Sequence, residues 1–180
     1  MANSRATDAD GEQAWLEAAL DRYEGPLLRY AASVVGRAAA PDVVQDTFLA
    51  LCRAERERVA GRLAPWLFTV CRNRALDCMR EGQRLEPLQD EQLRSSDSEP
   101  WRSIETDHSL ERVQELVEAL PDKQRQAVIL KFSGGLRYKE IAEVMELSVS
   151  HVGVLLHTAI GRLRASWADP AELLALGGEP

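Results

Sequence analysis

No stretch of the 180-residue chain approaches the roughly 18–20 consecutive apolar side chains that a membrane-spanning helix needs, which argues against a membrane class. Cysteine is scarce. Cys52, Cys71 and Cys78 are odd in number and widely spaced, so a disulfide scaffold is excluded and reduced thiols are expected. The three histidines, His108, His151 and His157, do not converge with cysteines at metal-ligand spacing, so no metal site and no cofactor are expected. Met1 to Gln13 carries four charged side chains and no apolar run, unlike a secretory leader, and a cytoplasmic location is expected. Catalytic signatures are also missing. There is no nucleophile–base pairing and no phosphate-cradling glycine loop, and Gly134-Gly135 reads as a turn, so the chain is not expected to be an enzyme.

The chain also lacks an overall positive charge, with a formal net charge of −7 and a pI near 5.1. The charge is unevenly spread, however. Residues 25–84 hold ten arginines, no lysine and six acids, whereas residues 85–120 hold three basic and ten acidic side chains. A phosphate-seeking surface in the first half is hidden by the acids around it. The 45% hydrophobic content is enough to build a real core.

Alternating apolar runs of the kind that make strands are absent, and helical spacing recurs almost everywhere, which predicts an all-α fold. Trp15, Leu16, Ala19, Leu20 and Tyr23 share one face, continued past Pro26 by Leu27, Leu28, Ala31, Val34 and Val35; Pro26 is expected to kink or restart that helix. Pro41 opens a second helix with Val43, Val44, Thr47, Phe48 and Leu51 as its stripe. Gly61 and Pro65 bound a short loop before a third helix from Trp66 to about Glu81. From Gly82 to His108, prolines, serines and acids replace aliphatics and too little surface can be buried to offset ordering entropy. Two small helical domains therefore emerge, 12–84 and 109–168, joined by a flexible acidic linker at 85–108 and followed by a tail at 169–180.

The second domain contains helix-turn-helix grammar. In Tyr138 to Val152, small Ala142 sits at the crossing, Ile141, Met145 and Leu147 face inward, and Ser148 caps the next helix. Val152, Leu156, Ile160 and Leu163 are expected to form the buried stripe of that helix, the element that enters the DNA major groove.

Two blocks give a sharper likeness. The first is Asp42-Val-Val-Gln-Asp-Thr-Phe-Leu49 followed by Pro65-Trp-Leu-Phe-Thr-Val-Cys-Arg-Asn-Arg-Ala-Leu-Asp77. The second is Leu120-Pro-Asp-Lys-Gln-Arg-Gln-Ala-Val-Ile-Leu130 followed by Gly135-Leu-Arg-Tyr-Lys-Glu-Ile-Ala142. Together the chain resembles a bacterial RNA polymerase sigma factor of the extracytoplasmic-function (ECF) type, over about 15–84 and 109–166. The resemblance implies a non-enzymatic initiation factor that binds core RNA polymerase, at the clamp of the largest subunit and the flap of the second subunit. It also implies promoter DNA as a ligand, strand separation, and an anti-sigma factor as regulator. The linker would thread near the active-site and RNA-exit channels.

Residue by residue, the resemblance gives Asp42, Gln45, Asp46, Phe48 and Leu49 a role on the polymerase clamp, and polar carboxylates on one helical face suit a basic partner. It gives Arg53, Arg56, Arg58, Arg62, Arg72, Asn73, Arg74 and Arg80 a role at the promoter −10 element, where melted bases are held in polar pockets and arginines follow the backbone. Asn73 matches the family position in the pocket for a flipped base. Trp66 and Phe68 read as core anchors, and Cys71 and Cys78, on one helical face, as core packing.

The −35 reader departs from the family. Glu146 stands where a turn glycine is usual, and Gly153, Val154 and Leu155 stand where lysine or arginine usually flanks a small polar residue. Ser150, His151, Gly153, Val154, His157, Thr158 and Arg162 are the residues left to face DNA. Two readings are open: Val154 and Leu155 touch thymine methyls, or a protein (an inhibitor or the first domain) covers them. Two rival functions are a sigma mimic that sequesters an anti-sigma factor without touching DNA, and a helix-turn-helix regulator with an unrelated first domain.

Overall fold

The computed structural model describes residues 3–85 and 108–167, with side chains over 11–82 and 112–167. Every regular element among them is helical: α1 (Asn3–Val35), α2 (Ala40–Arg53), α3 (Arg56–Val59), a 3-10 turn (Ala60–Arg62), α4 (Leu63–Leu85), α5 (His108–Glu118), α6 (Asp122–Val128), a π turn (Ile129–Ser133), α7 (Tyr138–Met145) and α8 (Val149–Trp167). The all-α fold with two helical domains stands. The linker between them, beyond its end residues, and the tail at 169–180 lie outside the described residues.

The first domain is a bundle of α1, α2 and α4. Of the two outcomes expected at Pro26, a kink or a restart, the restart does not occur: α1 runs through the proline. Leu27, Tyr30 and Ala31, just beyond the proline, are completely buried. A stripe that continues in phase against two partner helices outweighs the backbone hydrogen bond that proline forfeits. The helix ends at Gly36, whose φ of 83° and N–H bond to the Ala32 carbonyl at 3.0 Å form a left-handed C-terminal cap. In α2, Pro41 lies in the first turn as expected, and buried Thr47 satisfies its hydroxyl on the Val43 carbonyl at 2.8 Å. The loop expected between Gly61 and Pro65 is instead the 3-10 turn and the start of α4, with Pro65 in the first turn, where its missing N–H costs nothing. Leu67, Phe68, Cys71 and Ala75 form the buried stripe of α4.

The second domain packs α6, α7 and α8 together, with α5 against α8. The Gly134 N–H bonds the Ile129 carbonyl at 2.9 Å, the wide spacing that defines the π turn. That turn brings backbone directly onto the first domain. A Cβ on Gly134 would stand 2.7 Å from Cε2 of Phe68 and 2.8 Å from the Leu130 carbonyl oxygen. The two domains thus share one continuous core, with α6 and the π turn against α1, and α7 against α4.

The close approach at Gly134 carries a prediction. Gly134→Ala must push Phe68 or the π turn aside, and overpacking of this kind costs about 1–3 kcal/mol. Urea unfolding followed by circular dichroism should show that loss. Gly82→Ala, in open space on α4, should show none.

Candidate nucleic-acid and partner interfaces

Between α1 and α2 lies an apolar groove of about 440 Å³, lined by Leu20, Leu28, Val44, Phe48, Leu49 and Cys52, with Glu24 and Gln45 on its walls. Leu49 is exposed and Phe48 half-buried, while Asp42, Gln45 and Asp46 lie exposed on the same helix. Of the five α2 residues singled out from the sequence, Gln45, Phe48 and Leu49 line this apolar trough, while Asp42 and Asp46 are exposed on the same helix outside its lining. An apolar trough beside carboxylates suits an amphipathic basic helix.

The eight −10 candidates are distributed over α2 (Arg53), α3 (Arg56, Arg58), the 3-10 turn (Arg62) and α4 (Arg72, Asn73, Arg74, Arg80). Asn73 and Arg74 are exposed, although their neighbours Cys71 and Ala75 are wholly buried. Arg53 and Arg74 make no ion pair among the described residues. The other arginines are engaged. Arg56 lies over the Trp15 ring at 5.4 Å and donates to the Gly11 carbonyl at 3.3 Å. Arg58 pairs with Glu55 at 2.6 Å and Arg80 with Asp77 at 3.1 Å. Arg62 pairs with Glu143 of α7 at 2.8 Å. Arg72 lies 3.4 Å from the Glu146 carboxylate and donates to the Met145 carbonyl at 3.5 Å.

Cys71 packs as expected, and burial pushes its thiol up to about 12, opposed by a hydrogen bond with Thr47. Cys78 does not: it is exposed, because α4 continues past the core, with Ala75 its last buried residue and all of residues 77–82 exposed. Trp66 is half-buried against the core and Phe68 fully buried.

In the second domain α7 and α8 meet at 102°, the geometry of a helix-turn-helix. Ala142 is buried at the crossing, and Ser148 accepts the His151 N–H at 3.1 Å, capping α8. At the start of α7, Glu140 accepts both the Arg137 backbone N–H at 2.7 Å and its guanidinium at 2.9 Å, which holds that carboxyl below its ordinary pKa. Glu146 has φ 55° and ψ 45°, the left-handed turn that its position demands. A side chain there costs about 1–2 kcal/mol relative to an unstrained residue. It is the single non-glycine residue with positive φ among those described.

On α8 the buried stripe is Val152, Leu155, Leu156 and Ala159, while Ile160 and Leu163 are only half-buried. The sequence reading that put Leu155 beside Val154 on the outer face is corrected: Leu155 is 9% exposed and Val154 62%. One residue is 100° on a helix, enough to turn Leu155 under the helix toward the core. Nor does the first domain cover Val154, since its contact with the helix-turn-helix is through α7 on α4. Ser150, His151, His157 and Arg162 are exposed and Gly153 and Thr158 half-buried, so α8 presents no lysine or arginine before Arg162. What the sequence did not reveal is the set of glutamates that meet the first domain: Glu143, Glu146, and Glu118, which pairs with Arg37 at 2.6 Å. Their spacing was visible; their partners were not.

A helical bundle joined to a helix-turn-helix, in this order, is the architecture of the sigma-70 class. The family model "Sigma-70 region 2" matches residues 19–85 and "Sigma-70, region 4" matches residues 110–163. Among relatives, the chain is 32% identical over 165 residues to the ECF RNA polymerase sigma factor SigD of Mycobacterium tuberculosis, covering 86% of this chain and 77% of the relative. It is 30% identical over 152 residues to the ECF RNA polymerase sigma factor EcfG of Rhodopseudomonas palustris, covering 82% and 83%. Among solved structures it is similar to CnrH in complex with the cytosolic domain of CnrY (TM-score 0.52, 25% identity, covering 96% of each chain). It shares the fold of the sigma factor RpoE in complex with the anti-sigma factor NepR from Bartonella quintana (TM-score 0.60, 23% identity, covering 94% of this chain and 99% of that one). The chain belongs to the ECF RNA polymerase sigma factors: it is a non-enzymatic, DNA-binding factor that directs RNA polymerase to promoters. This sets aside the mimic and the unrelated regulator. No single helix among the described residues is long and apolar enough to cross a membrane.

Proposed function

We propose that residues 12–84 bind core polymerase and open the −10 element while residues 109–168 read the −35 element, in the cytoplasm and under the control of an anti-sigma factor. The observation that carries this is the pair Asn73 and Arg74, exposed in mid-helix beside the fully buried Cys71 and Ala75. An amide that offers both donor and acceptor, flanked by guanidinium groups, suits an unstacked base and its phosphates. Asp42, Gln45, Asp46, Phe48 and Leu49 dock the polymerase clamp through the α1–α2 groove, and the flap of the second subunit receives the second domain. Helix α8 supplies Ser150, His151, Gly153, Val154, His157, Thr158 and Arg162 to the major groove. The RpoE–NepR complex supports the regulator, since a protein of this fold is held there by an anti-sigma factor.

Purified protein added to core RNA polymerase and fragmented genomic DNA tests the reading. Discrete new transcript 5′ ends that share two upstream motifs are expected. Polymerase binding without new starts would defeat it.

Val154 gives the −35 reading a distinct chemistry. A 62% exposed valine, on a helix whose first two turns lack a basic side chain, recognises a thymine C5-methyl rather than a guanine edge. Replacing the −35 thymines by uracil, one at a time, removes only that methyl. At one position the wild type should lose about fourfold in binding, the worth of one buried methyl group, and Val154→Ala should lose nothing further there. Equal sensitivity in both proteins would assign the contact elsewhere.

A further inference from the structure

We infer that Glu143 of α7 and Glu146 in the turn that follows it form a clasp that masks the −10 arginines Arg62 and Arg72 in the free protein, and that nucleic-acid phosphate displaces it. The inference rests on the reading of those arginines as −10 contacts. Glu143 lies in the last turn of α7 and Glu146 is its left-handed C-terminal cap, and both carboxylates reach the first domain. Each meets an arginine of the other domain, Glu143 on Arg62 at 2.8 Å and Glu146 on Arg72 at 3.4 Å. Carboxylate and phosphate oxygens compete for the same guanidinium fork, so these arginines cannot serve the clasp and DNA at once.

The construction is unusual enough to indicate a use. Glycine would relax the left-handed backbone at position 146, yet a glutamate occupies it, and its carboxylate reaches across the domain boundary. The clasp is also incomplete. Arg72 Nη1 is buried without a hydrogen-bond partner, and the approach of Glu146 is an ion pair that is not aligned as a hydrogen bond. Arg62 and Glu143 are both about 60% exposed, so solvent screens their attraction. An under-served arginine and a screened one make a closed state that a phosphate backbone outcompetes. When only the open fraction binds, apparent DNA affinity falls by that fraction.

The test uses the full chain without polymerase. A donor–acceptor pair on Cys52 and on a cysteine introduced by Ser166→Cys, in a Cys78→Ser background, reads the separation of the domains; buried Cys71 does not react. Binding is read with a fluorescent 20-nucleotide single-stranded DNA of mixed sequence. Glu143→Gln with Glu146→Gln should lower energy transfer and tighten oligonucleotide binding about three- to tenfold. Glu17→Gln with Glu115→Gln removes the same charge away from the interface; it should leave transfer unchanged and tighten binding less than about twofold. Glu146→Gly separates the clasp from local folding, because it relieves the turn while removing the carboxylate. It should keep or raise Tm and still lower transfer. Unchanged transfer in the glutamate variants, or opening with binding no tighter than in the charge control, overturns the inference. The −10 reading is checked separately by promoter opening with Arg72→Glu. Impaired opening there, with unchanged transfer in the clasp variants, sinks the clasp alone. Normal opening with Arg72→Glu overturns both.

Discussion

Phe68→Ala is expected to lower the free energy of unfolding by about 3–5 kcal/mol, the range for truncating a buried aromatic ring. Phe68 has no exposed surface, and its ring meets Tyr30 edge-on at a centroid distance of 5.5 Å and an interplanar angle of 90°. Such a pair adds about 0.5–1.5 kcal/mol beyond the area buried. The ring also fills the space against Gly134, so its loss opens a cavity that borders both domains. Two readouts should move together: the urea midpoint falls, and the second domain becomes more accessible to protease. Phe132→Ala is the control. Phe132 is 64% exposed on the same π turn, and its removal should stay within about 0.5 kcal/mol. A loss of stability with no change in protease access to the second domain would mean that the domains do not share a core in solution.

The fold was largely legible because most of its helices rely on local signals. Pro41 starts α2, Ser148 caps α8, and the spacing of Val43, Val44, Thr47 and Leu51 marks a face without reference to any partner. The misreadings arose where tertiary packing overrides a local signal. Pro26 is a breaker by its chemistry, but α2 and α4 hold the stripe on either side of it. Leu155 looked outward beside Val154 because a run of apolar residues leaves the phase of a helix undetermined by 100°. The αL turn at Glu146 was readable from its place between α7 and α8. Its partner Arg72, 74 residues earlier, was not, since neither residue carries a mark that selects the other. The site residues divide likewise: the α2 face and Asn73 are exposed as their pattern implies, whereas the engagement of Arg62 and Arg72 depends on how two separately legible domains meet.

Asn73→Ala is expected to slow promoter opening by about five- to 150-fold, the equivalent of about 1–3 kcal/mol for a good contact to a base edge. The amide lies exposed on α4 with both a donor and an acceptor available, and it does not line the α1–α2 groove assigned to polymerase. Alanine is the better helix former, so α4 should keep its stability. The effect belongs to a base pocket only if it separates from assembly. Stopped-flow fluorescence from 2-aminopurine in the −10 region reads strand separation, while anisotropy of labelled protein with core polymerase reads binding. Opening should fall and core affinity should hold. Asn73→Asp should open still more slowly, because it replaces the amide donor with a charge that repels phosphate. Parallel losses of opening and core binding would instead make Asn73 a structural residue of α4 and transfer the −10 reading to its arginine neighbours.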